Sequence, residues 1–135
     1  MEINERRALL IVSNNPDESL DYISGLQGAL IAMDNKQPTV ISIHYVPDRF
    51  IITAASFSNY LEALSEQTWK NLEELITTVL GDLSNQLVAR WICVKGSASK
   101  GAESEIRAHE VLIEDRQPEW DNPSLLLRSE KFKDH

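Results

Sequence analysis

The hydrophobic period of this chain changes twice, and that change limits the folds open to it. Residues 39–46 alternate with period two. Ile41, Ile43 and Tyr45 fall on one face, and Val40, Ser42, His44 and Val46 on the other, the pattern of a strand. From Phe57 the period becomes 3.6. Phe57, Tyr60, Leu61 and Leu64 form one helical stripe, with Ser56 as the expected N-cap. A second helix is expected over 68–83, capped by Thr68. Its stripe is Trp69, Leu72, Leu75, Ile76, Val79, Leu80 and Leu83, and Glu73 and Glu74 suit the positive end of its dipole. After Ser84-Asn85 the chain reads as extended again, over 86–95.

Shorter signals fill in the rest. The apolar run 8–13 reads as a strand or an N-terminal arm and ends at the turn Asn14-Asn15-Pro16-Asp17. Residues 20–32 read as extended, because Gly25 and Gly28 would each cost a helix about 1 kcal/mol. A polar loop is expected at 33–38. Pro47-Asp48 makes a turn, and 50–54 resumes as the hairpin partner of 39–46. Residues 96–101 form a Gly/Ser connection to a last strand over 103–113. From Glu114 onward, prolines and charges suggest a tail.

The expected fold is α+β, an antiparallel sheet of about four strands with two helices on one face. No segment is left to cover the other face, so oligomerisation through the sheet is expected. The expected division is 1–19 as an arm or short strand, 20–113 as the domain and 114–135 as the tail.

With 135 residues the chain suits one domain with an adequate core. Its 13 basic and 21 acidic residues leave a net charge of −8, which disfavours nucleic acid as a partner. No apolar run is long enough to span a membrane, and the start does not read as a signal peptide. Cys93 is the single cysteine, so no disulfide forms within the chain and a cytoplasmic location is expected.

At Gln37-Pro38, Tyr45-Val46-Pro47-Asp48, Tyr60-Leu61 and the stretch 91–96, the sequence resembles the nitrile reductases that reduce 7-cyano-7-deazaguanine in the queuosine pathway. The resemblance runs from about residue 20 to 101. It implies a tunnelling fold, whose units pair two hairpins with two helices and assemble into barrels. It also implies an NADPH-dependent reductase, but the residues of that chemistry are replaced. The family's nucleophilic cysteine falls at Ala32, with Met33 in place of the following proline. Alanine cannot form a thioimide with a nitrile. The family's acid falls at Thr39, which is no carboxyl proton donor. The nicotinamide-cofactor signature reads Thr53-Ala54-Ala55-Ser56, where only Ser56 survives and the phosphate-pairing lysine is gone; Lys100-Gly101 fall close to the family's basic-Gly-Gly turn, and no cofactor is expected. Allowing one inserted residue, the glutamate that anchors the amide and amino edge of a purine or pterin falls at Glu73. The histidine that usually precedes it is Leu72.

The residues themselves leave Glu73 with two readings. It lies about 40° from Trp69 on the stripe's edge, where it is either a ligand anchor or a solvated glutamate complementing the helix dipole. Glu74 points to the far side, so the two form no carboxylate dyad. Cys93, mid-strand between Ile92 and Val94, reads as a buried structural residue. His44, His109 and His135 lack metal-site spacing, so no metal is expected. Glu103, Glu105 and Glu110 read as a solvated strand face. Gly25 and Gly28 precede no helix and do not form a phosphate loop. Leu125, Leu126 and Leu127 read either as an anchor on a neighbouring subunit or as a disordered, sticky end.

Three functions follow. The first is a catalytically degenerate relative of the nitrile reductases, a homo-oligomer that binds a small purine- or pterin-like heterocycle or serves a structural role. The second is an active enzyme of deazapurine or pterin metabolism using non-cysteine chemistry. The third is an interaction module that uses the open sheet face.

Overall fold

The computed structural model describes residues 1–33 and 36–133, with side chains to Ser129. The elements run α1 (Ile3–Ala8), β1 (Val12–Asn14), β2 (Ser24–Leu30), β3 (Thr39–Val46), β4 (Phe50–Ile52), α2 (Ala54–Ser65), α3 (Leu72–Leu87), β5 (Trp91–Ser99), β6 (Ala108–Arg116) and α4 (Pro123–Lys133). Four strands form an antiparallel sheet in the order β2-β3-β5-β6, and β1 pairs with β4 in a separate two-stranded sheet. The α+β class is therefore as expected, with two hairpins flanking the α2–α3 pair.

The alternation in β3 decides which face is buried. Ile41, Ile43 and Tyr45 are in register with Leu26 and Gly28 of β2 and with Ile92, Val94 and Gly96 of β5. This row meets Phe57, Tyr60, Leu61 and Leu64 of α2, and Leu72, Leu75, Ile76, Val79 and Leu83 of α3, to make the main core. Two glycines let the helices sit close. A Cβ on Gly28 would run into the Leu61 side chain, and one on Gly96 into Ile76 and Leu72.

Several boundaries depart from expectation. The second helix starts at Leu72 instead of near Thr68, because Asn71 caps it by accepting from the Glu74 amide at 2.8 Å. Trp69 lies in the connection between α2 and α3, where its Nε1 donates to the Leu64 carbonyl. Thr53 caps α2, accepting from the amide of Ser56 at 3.3 Å, so Ser56 lies inside the helix. Residues 50–52 do not pair with β3. The Ile52 amide donates to the Tyr45 hydroxyl at 2.9 Å, and β4 takes β1 as its partner. The N-terminal stretch contains a helix as well as a strand.

The segment expected as a tail contributes the end of β6 and all of α4. The second face of the sheet is therefore not wholly uncovered. Trp120, Leu125 and Leu126 pack with Ile23 over Val46, Trp91 and Cys93, so these leucines dock on their own chain. The expected loop at 33–38 includes Asp34 and Asn35, and His135 ends the chain; these three lie outside the described residues. Among the described residues no helix is long and apolar enough to cross a membrane.

Candidate functional site

The antiparallel register gathers most of the singled-out residues at one end of the sheet. Thr39 opens β3 and sits opposite Leu30 of β2 and Ala98 of β5. Ala98 in turn sits opposite His109 of β6. Ala32 follows the end of β2 and is half-buried, packed with Met33 against the core. Lys100 follows β5, and its amide donates to the Arg107 carbonyl at 3.3 Å.

Glu73 reaches this end because the start of α3 lies on Gly96, where Leu72 and Ile76 fill the space a side chain would take. Its carboxylate is more than half exposed, and Oε2 lies 3.3 Å from Nε2 of His109. The arrangement offers an accessible carboxylate in the first turn of a helix, beside an imidazole. Chemically it accepts N–H donors, and α3 adds the positive end of its dipole. Thr39 is 1% exposed, and its hydroxyl has no hydrogen-bond partner among the described residues.

Ser56 is not part of this group. Its hydroxyl accepts from the Ile11 amide at 3.0 Å and reaches the Thr53 carbonyl at 3.0 Å, joining α2 to the segment before β1. That junction lies near Tyr45, six residues and about 20 Å along β3 from Thr39. Within one chain Ser56 and Lys100 therefore form no common cradle for a nicotinamide cofactor. Cys93 is buried as expected, and it lies on the other face, beneath Trp120 and the α4 leucines.

No family model and no curated protein matches this chain. The site therefore stands on its own geometry.

Two groupings escaped the sequence reading. The first is Asp82 of α3, fully buried and bound by Arg6 at 2.6 and 2.9 Å, Arg7 at 2.9 Å and the Tyr60 hydroxyl at 2.6 Å. Burial pushes its carboxyl up, but the hydrogen bonds from Arg6, Tyr60 and Arg7 outweigh that and hold it below the usual range. Burial, reinforced by the bond to Asp82, pushes the Tyr60 phenol far up. The sequence did carry a signal, since Asp82 lies about 20° from Leu75 on the apolar stripe. The second grouping is Asp21, which receives Arg90, Trp120 and Asn122. Its partners come from segments about 70 and 100 residues away, and no local pattern announces them.

Proposed function

We propose that this chain is a catalytically degenerate relative of the nitrile reductases, a tunnelling-fold protein that binds a purine- or pterin-like ring through Glu73. The observation that carries the reading is the exposed Glu73 carboxylate at the sheet end, next to His109. A carboxylate placed this way can take the paired N–H groups of a guanine-like edge, a two-point contact stronger than a neutral hydrogen bond. The sequential antiparallel sheet, with its helix pair inserted between the central strands, supports the scaffold assignment.

Ala32 at the family's thiol position supports binding without nitrile reduction. The one cysteine offers no substitute, since it lies under α4 on the other face. The site is completed in a homo-oligomer. The edge strands β2 and β6 have no further strand partner among the described residues, which supports assembly through the sheet.

Thermal shift with guanine, neopterin and 7-cyano-7-deazaguanine tests the reading, together with light scattering. At 100 times Kd a bound ring adds about 2.7 kcal/mol of stability. Glu73→Gln should abolish the shift. A shift that survives Glu73→Gln removes Glu73 from the site, and no shift with any ring overturns the function. A monomer in solution overturns the assembly.

A further inference from the structure

One long edge of the main sheet is bare. β2 forms it, paired to β3 on one side only. In an antiparallel edge strand every second residue turns both its N–H and its C=O outward. Among the described residues, none of 24–30 makes a backbone hydrogen bond beyond the β2–β3 ladder. Exposed edges are commonly blunted by lysine, proline or an inward-pointing charge. β2 reads Ser-Gly-Leu-Gln-Gly-Ala-Leu and has none of these.

A groove runs beside this edge. It holds about 550 Å³ between β2 and the flank of α2, within the range of ligand-binding clefts. Its floor is apolar, with Leu26 and Leu30 from the strand and Phe57 and Leu61 from the helix. Leu61 comes in against Gly28, where a Cβ would meet it. The helix wall is low, because α2 presents Ala54, Ser58 and Ser65 there. Ile31, 55% exposed, lies at one end. Among the described residues, Glu62 is the one charged side chain lining the groove.

We propose that this groove binds an extended peptide, which joins β2 as a fifth strand of the main sheet. β2 has seven residues, so it can pair a segment of about that length. Backbone bonds to the edge supply affinity, and side chains at alternate positions enter the groove. Those side chains are apolar over Leu26, Phe57 and Leu61, with one lysine or arginine beside Glu62. Charge favours such a segment over a second copy of this chain. The chain carries −8, and its other edge, β6, would bring Glu110, Glu114 and Asp115 toward Glu62. Assembly through β6 about a two-fold axis leaves the groove open. Glu73 does not line the groove, and peptide binding needs no ring.

A library of dye-labelled heptapeptides tests this on the full chain by fluorescence anisotropy. Members alternate threonine with leucine, valine or isoleucine, and one apolar position is lysine. Saturable binding is expected. One of the two alternate sets of backbone amides faces β2; N-methylating that set should abolish binding, and N-methylating the other should spare it. Glu62→Lys should weaken binding about tenfold, and glutamate in place of the peptide's lysine should restore it. Ser58→Phe, which fills the groove from an exposed position, should abolish binding with the denaturation midpoint unchanged. No binding by any member overturns the proposal, as does binding indifferent to which amides are methylated or to Glu62→Lys. So does an oligomer, seen by light scattering, that Ser58→Phe disperses, since a second copy then fills the groove.

Discussion

The Tyr60 hydroxyl donates to Asp82 Oδ2 at 2.6 Å, so the phenol of α2 ends on a fully buried carboxylate of α3. Arg6 and Arg7 close the same carboxylate from α1, a helix with no buried residue of its own. One buried charge thus joins three helices, and α1 docks through its arginines and the adjoining Leu10.

Asp82→Asn should lower stability by about 3–5 kcal/mol, since it strands two arginines at a desolvated site. Tyr60→Phe should cost about 1.5–3 kcal/mol, the value of a hydrogen bond to a charged group. Chemical denaturation measures both. A loss under about 1 kcal/mol for Asp82→Asn would show that solvent reaches the network.

The same carboxylate sets an acid dependence. Its folded-state pKa lies below the unfolded value of about 3.9, so its contribution is complete well above that value. The contribution shrinks as pH falls through the unfolded and then the folded pKa. Denaturation midpoints of the unaltered chain and Asp82→Asn should therefore converge toward acid pH. A gap that stays constant from neutral to strongly acid pH would refute this.

Val88 ends α3 in the left-handed region, at φ 46° and ψ 48°, a conformation that crowds a β-branched side chain. It is 59% exposed, so little packing is lost on truncation. Val88→Gly should raise stability by about 1 kcal/mol, read as a higher denaturation midpoint. A lower midpoint would mean that the added freedom of the unfolded chain outweighs the strain.

Gly96→Ala should destabilise by about 1–3 kcal/mol, because the new methyl meets Ile76 and Leu72 and pushes α3 off the sheet. The displacement carries Glu73 with it, so ring binding should weaken as well. Pairing Gly96→Ala with Ile76→Val, which trims the obstructing side chain, should recover part of both losses.

The two periods of the sequence were enough to locate the central strand and the helix pair, because burial on one face imposes them directly on residue order. The alternation over 39–46 matches β3 residue for residue. The helical stripe from Leu72 to Leu83 lines the core as read. Capping was less legible. Thr68 and Ser56 were plausible oxygens, but only the folded chain shows Asn71 and Thr53 accepting the amides. Glu73 was visible as a charge at a stripe's edge, whereas its neighbour His109 was not, since 36 residues of chain separate them.

Local order along the chain determined which segments extend, which coil and which face of each is apolar, because those depend on side chains two to four positions apart. Tertiary structure alone decided the partners across the fold: β4 leaving β3 for β1, α4 returning to the sheet, and two arginines converging on Asp82. Such choices depend on distances between residues remote in sequence, and the physical cost of a buried charge or an open apolar corner exists only once the chain is folded.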